Sequence, residues 1–207
     1  MSDRSRILLV VVVIGAMLGV FSHASSGLPG AWRWAGNFGA LWVAISFLAG
    51  RLTKDVLAGA CFGGIALVAA SLMHYVPHRM ASEGISLHAF RWPVVLWAGL
   101  GALLGLLFGA LGSTHSRGIQ IYSVVGTALL VATFVAEACV LYRTGHPNAV
   151  AVAVPIEVSI GVAIPFLLLR TLRQRTMALG ALVFSPVAVL GLSAFMGVIH
   201  RVYPGID

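Results

Sequence analysis

The sequence predicts an all-α fold, a polytopic transmembrane helix bundle of about seven helices. Hydrophobic residues make up 59% of the 207 residues and charged residues only 9%, a balance that is too apolar for a soluble domain of this size. The charged residues also gather in short clusters between long apolar runs, as is typical of multi-spanning helical membrane proteins. We therefore expect one integral membrane domain over residues 1–207.

Seven apolar segments are long enough, or nearly so, to cross a bilayer, which takes about 20 helical residues. Short connections rich in Gly, Pro, Arg and His separate them. The predicted helices are roughly residues 7–21, 31–50, 55–76, 92–112, 118–142, 149–169 and 177–200.

The first segment also resembles a secretory signal. Arg4 and Arg6 precede the apolar run, and Ser22-His23-Ala24 provides small residues suited to cleavage. We interpret the segment as an ordinary first helix, because multi-spanning proteins commonly retain theirs.

The formal charge of +7 does not indicate nucleic-acid binding. The basic residues form no stripe with interleaved aromatics, but lie at the ends of apolar segments, where lipid head groups contact them. The lipid bilayer is therefore the expected partner, with no nucleic acid. Cys61 and Cys139 fall inside apolar segments, so we expect buried thiols and no disulfide framework.

Lys and Arg predict the orientation. With the N-terminus inside, eight of the thirteen lie on the inner side and five on the outer side. The cluster RTLRQR, between the last two predicted helices, contributes most to this bias, since short loops follow the positive-inside rule best. We expect a multi-pass protein of the cell membrane with a cytoplasmic N-terminus and an external C-terminus.

An internal repeat is suggested by VAISFLAGR at 43–51 and VAIPFLLLR at 162–170. Residues 7–76 would then recur as 118–200 in the same orientation, with residues 92–112 as a linker helix, an arrangement known among transporters. Chance similarity between apolar helices explains the same match, so both interpretations stay open.

Glycines at four-residue spacing predict close helix packing, because they form a smooth stripe that a neighbouring helix can approach. The pattern fits packing inside the bundle and homo-oligomerisation equally well. It occurs at Gly15 and Gly19, at Gly59 and Gly63, and at Gly101, Gly105 and Gly109.

The apolar stretch VAVPIEVSIGVAIPF, residues 152–166, contains Glu157. A carboxylate inside a membrane helix costs about 2.5–3.5 kcal/mol on insertion scales, and such groups usually face a cavity or a bundle interior. Pro155 and Pro165 bracket Glu157 and weaken the helical hydrogen-bond ladder, a common feature where helices line a site. We therefore interpret Glu157 as functional.

Other polar residues fall near the same predicted outer face. At about 1.5 Å per residue, Glu157 lies about 12 Å deep, Asn37 about 9 Å and Glu137 roughly 8 Å. Two carboxylates at this depth, if close, would share a proton or need a cation. Alternatively, Glu137 snorkels or pairs with Arg143, and Trp34 is an interfacial anchor. The candidate substrate-binding residues are Glu157, Glu137, Asn37, Trp34, Trp42, His74 and Arg33.

No enzymatic motif stands out, whether GxSxG, HExxH, CxxC or a Gly-rich phosphate loop. His74 and His78 are four residues apart, but Pro77 interrupts a helix that would align them. The sequence thus predicts no metal and no cofactor, and it gives catalysis no support.

Three stretches, at 30–52, 73–76 and 136–142, resemble a family of small polytopic membrane proteins catalogued as domain of unknown function 6518. The resemblance implies a multi-pass membrane fold and no activity, and it adds the matched Trp34, Asn37, Trp42 and Glu137 to the candidates. Where paired tyrosines are expected, this chain has His74 and Tyr75, which leaves the role of that position open.

Three functions follow as hypotheses. The leading one is a protein that binds or transports a small solute, with a cation as one option, through an outward-facing polar cavity in the membrane. The second is a structural or accessory subunit that packs against a membrane partner through its glycine faces and binds no ligand. The third is a membrane-embedded enzyme acting on a lipid.

Overall fold

A computed structural model describes residues 3–29, 38–83, 92–144 and 149–184, which form helices and no strand. The π-helical turn Ala149–Ala153 precedes the sixth helix, and the 3-10 turn Ala181–Phe184 follows the seventh. The helices are α1 (Asp3–Ser26), α2 (Gly39–Arg51), α3 (Val56–Glu83), α4 (Trp92–Ser116), α5 (Gln120–Thr144), α6 (Val154–Leu168) and α7 (Leu172–Gly180). The all-α prediction is confirmed.

Five stretches in these helices are long and apolar enough to cross a membrane. Large apolar side chains on the outer faces of these helices are exposed. Leu103, for example, is 65% exposed and Leu167 is 80% exposed. Such a surface is stable in lipid and not in water. The architecture is that of a multi-pass helical membrane protein. The stretches are Asp3–Ser26, Val56–Tyr75, Val94–Ser116, Gln120–Arg143 and Val150–Leu168.

Two predicted helices reach beyond the described residues. Residues 31–37 of the second and residues 185–200 of the seventh lie outside them. The seventh helix begins at Leu172, five residues before its predicted start at Met177. The expectation that Pro77 interrupts the third helix was wrong, because α3 continues through it to Glu83. The expectation of buried thiols was wrong, because Cys61 and Cys139 are both exposed on apolar helix faces.

The chain divides into a first unit, residues 1–126, and a second unit, residues 127–207. In the first unit α2, α3 and α4 meet at glycines. A methyl group added at Gly63 would overlap the carbonyl oxygen of Gly105, and one added at Gly50 would overlap that of Gly109. The Ser46 hydroxyl donates a 2.9 Å hydrogen bond to the Gly105 carbonyl oxygen at the same junction. The predicted close packing of the glycine faces is confirmed inside this unit.

Helices α1 and α3 pack side by side and run in the same direction in the first unit. Small residues face each other along the contact, which lets the two backbones approach closely. The positions that meet are always 51 residues apart in the chain: Gly15 with Ala66, Gly19 with Ala70, and His23 with His74.

In the second unit α6 exposes one face and buries the other. Its buried face follows the helical repeat through Ala153, Glu157, Gly161 and Ile164. Gly161 lies against α5, where a methyl group would come 3.3 Å from the Phe134 side chain. Glu157, one turn before Gly161, is therefore held on the side of α6 that faces protein.

Candidate functional site

The second unit contains a deeply buried carboxyl group. The Glu157 side chain is 0% exposed, although it belongs to the apolar stretch Val150–Leu168. Within the described part of the chain, neither Oε1 nor Oε2 has a hydrogen-bond partner. A buried polar group in this condition costs roughly 1–3 kcal/mol, and more if it is charged, so Glu157 is costly for the stability of the fold.

Glu137 lies within electrostatic range of Glu157 and repels its charged form. The two helices that carry them are neighbours, since Gly161 of α6 packs against Phe134 and Val135 of α5. Glu137 itself is half-buried. We call Glu157 and Glu137 the carboxylate pair. The Coulombic repulsion falls if either group takes up a proton, or if a cation lies between them.

The backbone around Glu157 is irregular. The π-helical turn Ala149–Ala153 leads directly into α6. Pro155 lies in the first turn of α6, and Pro165, further along, interrupts its backbone hydrogen bonds. Single π-helical turns occur frequently at functional sites, and each proline removes one backbone donor. This confirms that the two prolines bracket Glu157 inside one helix.

A second group of side chains, which we call the ring cluster, lies in the first unit near the end of α1, near the start of α2 and in the second half of α3. The His74 ring centroid lies 6.1 Å from that of Trp42, 4.5 Å from that of Tyr75 and 6.2 Å from that of His23. All three neighbours meet the imidazole edge to face, an arrangement that aromatic rings prefer. Two predicted site residues, Trp42 and His74, are thus brought together.

Tyr75 and His23 were not among the predicted site residues, and His23 is the one that lies far from His74 in the sequence. It was grouped with Ser22 and Ala24 as part of a cleavage-like motif, yet it lies one turn beyond Gly19 on the face that packs against α3. Extending the four-residue spacing of the α1 glycines by one step would have pointed to His23.

Three candidate residues, Arg33, Trp34 and Asn37, lie outside the described residues. The structure therefore brings candidates together within each unit: Glu157 with Glu137 in the second, and Trp42 with His74 in the first. In the described ranges no group of three or more His, Cys, Asp or Glu side chains could hold a metal ion.

Comparison with known proteins assigns the chain to a family. Residues 2–199 match the model of a family of unknown function, DUF6518. The chain belongs to this family. The match extends over both units and supports the family resemblance of the three sequence stretches. No curated protein and no solved structure matches the chain, so the DUF6518 assignment carries no activity with it.

Proposed function

We propose that this DUF6518 protein binds a small cationic solute or a proton at the carboxylate pair and moves it across the cell membrane. The observation that carries the proposal is Glu157, which is fully buried with neither oxygen hydrogen-bonded in the described residues. An intramembrane carboxylate of this kind marks a functional site by default. A cation or a proton taken up there would offset the cost of burial.

Glu137 supports a cationic occupant over an anionic one. Its charge reaches Glu157, so the pair attracts positive charge and repels negative charge. Because Glu137 is only half-buried, it provides a step between the buried carboxyl group and the surface. In the proposal Glu157 holds the occupant, while Glu137 attracts it and takes part in its release.

We further propose an outward-facing cavity, with the N-terminus cytoplasmic. The Lys and Arg bias of the sequence supports this orientation. Hydrogen bonding by Asn37 and aromatic contacts by Trp34 and Trp42 are proposed from the sequence alone.

The test compares the purified full chain with the variants Glu157→Gln and Glu137→Gln. Choline, guanidinium and Na⁺ serve as probes, first in thermal unfolding in detergent and then in uptake into proteoliposomes. We expect at least one probe to stabilise the wild type and to be taken up, with both effects lost in Glu157→Gln and weakened in Glu137→Gln. Internal pH in the same proteoliposomes reports a proton as the occupant.

Ser159→Ala is the matched control, because Ser159 is exposed two residues further along the same helix. It should behave as wild type. If Glu157→Gln and Glu137→Gln retain wild-type stabilisation, uptake and proton movement, the carboxylate pair is not the binding site and the proposal fails.

A structural or accessory role is the second candidate, favoured by the glycine junction of the first unit. The backbones of α2, α3 and α4 come into contact there, and such close packing is expected of a rigid scaffold. This candidate predicts stable co-purification with a membrane partner and no effect of Glu157→Gln on any transport.

A further inference from the structure

Three basic side chains gather where the helices of the first unit end. Arg51 is the last residue of α2, Lys54 lies two residues before α3, and Arg117 follows the last residue of α4. We call these three residues the basic cluster. Lys54 and Arg117 directly flank the apolar stretches Val56–Tyr75 and Val94–Ser116, so the cluster lies at the edge of the hydrocarbon region.

Two hydrogen bonds fix the turn between α2 and α3 against the end of α4. The Arg117 Nε donates to the Lys54 carbonyl oxygen at 2.7 Å, and the Ser116 hydroxyl donates to the Arg51 carbonyl oxygen at 2.8 Å. Gly118, with φ +74°, ends α4 directly after Arg117. The fold therefore fixes the backbone positions of the three basic residues relative to one another.

The positive charge of the cluster is not neutralised by the protein in the described ranges. None of the three side chains is in an ion pair there. The nearest acid in the sequence, Asp55, accepts the backbone N–H groups of Leu57 at 3.0 Å and Ala58 at 3.3 Å through its Oδ1, and its single negative charge leaves the three basic residues with an excess of positive charge. Three like charges in one place favour an anion as partner.

The surface next to the cluster is apolar and open. In the turn before α3 and in its first turn, Leu52 is 46% exposed and Leu57 is 75% exposed. Near the start of α5, Ile121 is 55% exposed and Tyr122 is 50% exposed. A free inorganic anion gains nothing from this surface. A phospholipid with an anionic head group has both required parts, a phosphate for the cations and acyl chains for the apolar side chains.

We propose that the basic cluster is a binding site for an anionic phospholipid. The phosphate lies between Arg51, Lys54 and Arg117, with the acyl chains along Leu57 and its neighbours. The Arg117 guanidinium uses Nε to hold the α2–α3 turn, which leaves its two terminal nitrogens to donate to phosphate oxygens in a bidentate manner. This site shares no residue with the carboxylate pair and does not depend on the proposed function.

The test measures thermal unfolding of the purified full chain in detergent while lipid is titrated. Phosphatidylglycerol is the anionic probe, phosphatidylcholine the zwitterionic one, and inorganic phosphate the free anion. We expect phosphatidylglycerol to raise the unfolding midpoint, with little effect of the other two. Lys54→Gln removes one charge of the cluster without disturbing the fold, because the Lys54 side chain is exposed and makes none of the hydrogen bonds that hold the α2–α3 turn.

Removing one basic charge at a membrane surface should weaken apparent binding of phosphatidylglycerol about fivefold. Arg143→Gln is the matched control. It removes the same charge from an exposed residue at the opposite end of α5 from Gln120, and it should leave the titration unchanged. The inference is overturned if phosphatidylcholine or inorganic phosphate stabilises as well as phosphatidylglycerol. It is also overturned if Lys54→Gln leaves binding intact or weakens it no more than Arg143→Gln does.

Discussion

Two fully buried polar side chains, Ser46 in the first unit and Glu157 in the second, differ in their hydrogen bonding. In the first unit Ser46 is fully buried, and its hydroxyl donates to the Gly105 carbonyl oxygen where the glycine helices meet. In the second unit Glu157 is equally buried, but neither of its oxygens is hydrogen-bonded in the described residues. A satisfied polar group in a dry interior contributes to packing, whereas an unsatisfied one costs stability. The comparison therefore separates a structural junction from a candidate site.

The largest effect should come from filling the glycine junction. In Gly63→Ala the new methyl group would overlap the Gly105 carbonyl oxygen and lie 2.7 Å from the Gly109 Cα. Backbone atoms of a packed helix cannot move aside easily, so we expect a loss of about 3 kcal/mol. Thermal unfolding and size-exclusion chromatography in detergent measure it.

Gly99→Ala is the control for Gly63→Ala, since a methyl group at Gly99 meets nothing within 4 Å. Alanine is the better helix former, by up to about 1 kcal/mol, so the midpoint should stay or rise. Equal midpoints for the two variants would show that α2, α3 and α4 do not meet at backbone contact.

The next largest effect should have the opposite sign. Glu157→Leu replaces an unpaired buried carboxyl group with an apolar side chain of similar size. Removing the unsatisfied group should stabilise the protein by about 1–3 kcal/mol while abolishing solute or proton binding. Such a gain of stability with loss of function is typical of functional sites.

Ser159→Leu, on the exposed face of α6, controls for added hydrophobicity and should leave the midpoint nearly unchanged. A clear drop in the midpoint of Glu157→Leu would mean that Glu157 has a bonded partner and a structural role. Ser46 and Glu157 would then both be structural residues.

The helices were largely predictable, but several of their ends were not. Residues 113–116 are polar and suggested a loop, yet α4 continues to Ser116. The hydroxyls of Ser113 and Thr114 donate back to the carbonyl oxygens of Ala110 and Leu111, each at 2.8 Å. At the end of α1, Ser25 bonds the Ser22 carbonyl oxygen in the same way. Polar residues that satisfy themselves on the helix do not end it.

Of the candidate site, the burial of Glu157 could be predicted from the sequence, because a single residue is enough for that argument. Glu157 stands out because a carboxyl group in an apolar stretch has a cost that can be read from the sequence. The pairing of His23 with His74 depends on the register of α1 against α3, a property of two helices together, which composition does not report. The proposed repeat, residues 7–76 and 118–200, stays a prediction.

Ser46→Ala tests the other half of the comparison, with a smaller effect. The substitution removes the hydroxyl and leaves the Gly105 carbonyl oxygen without that hydrogen bond, which should cost about 1 kcal/mol in unfolding free energy. Ser159→Ala, exposed on α6, should cost nothing measurable. If Ser46→Ala unfolds at the wild-type midpoint, the hydrogen bond is not a stabilising part of the junction.

The smallest effect concerns the turn that starts α7. Thr171 and Gln174 bond each other reciprocally, each side chain accepting the backbone N–H of the other at 3.2 Å, which is a capping box. This pair explains why α7 starts at Leu172 and not at the next apolar run.

Thr171→Ala should cost about 0.5–1 kcal/mol, measured as a lower midpoint of thermal unfolding and faster amide exchange at the start of α7. Thr176→Ala, which removes only a hydroxyl bonded to the Arg173 carbonyl oxygen further along the exposed side of the helix, should have less effect. Identical exchange in both variants would mean that α7 is held by its packing, through buried Ala178, and not by its cap.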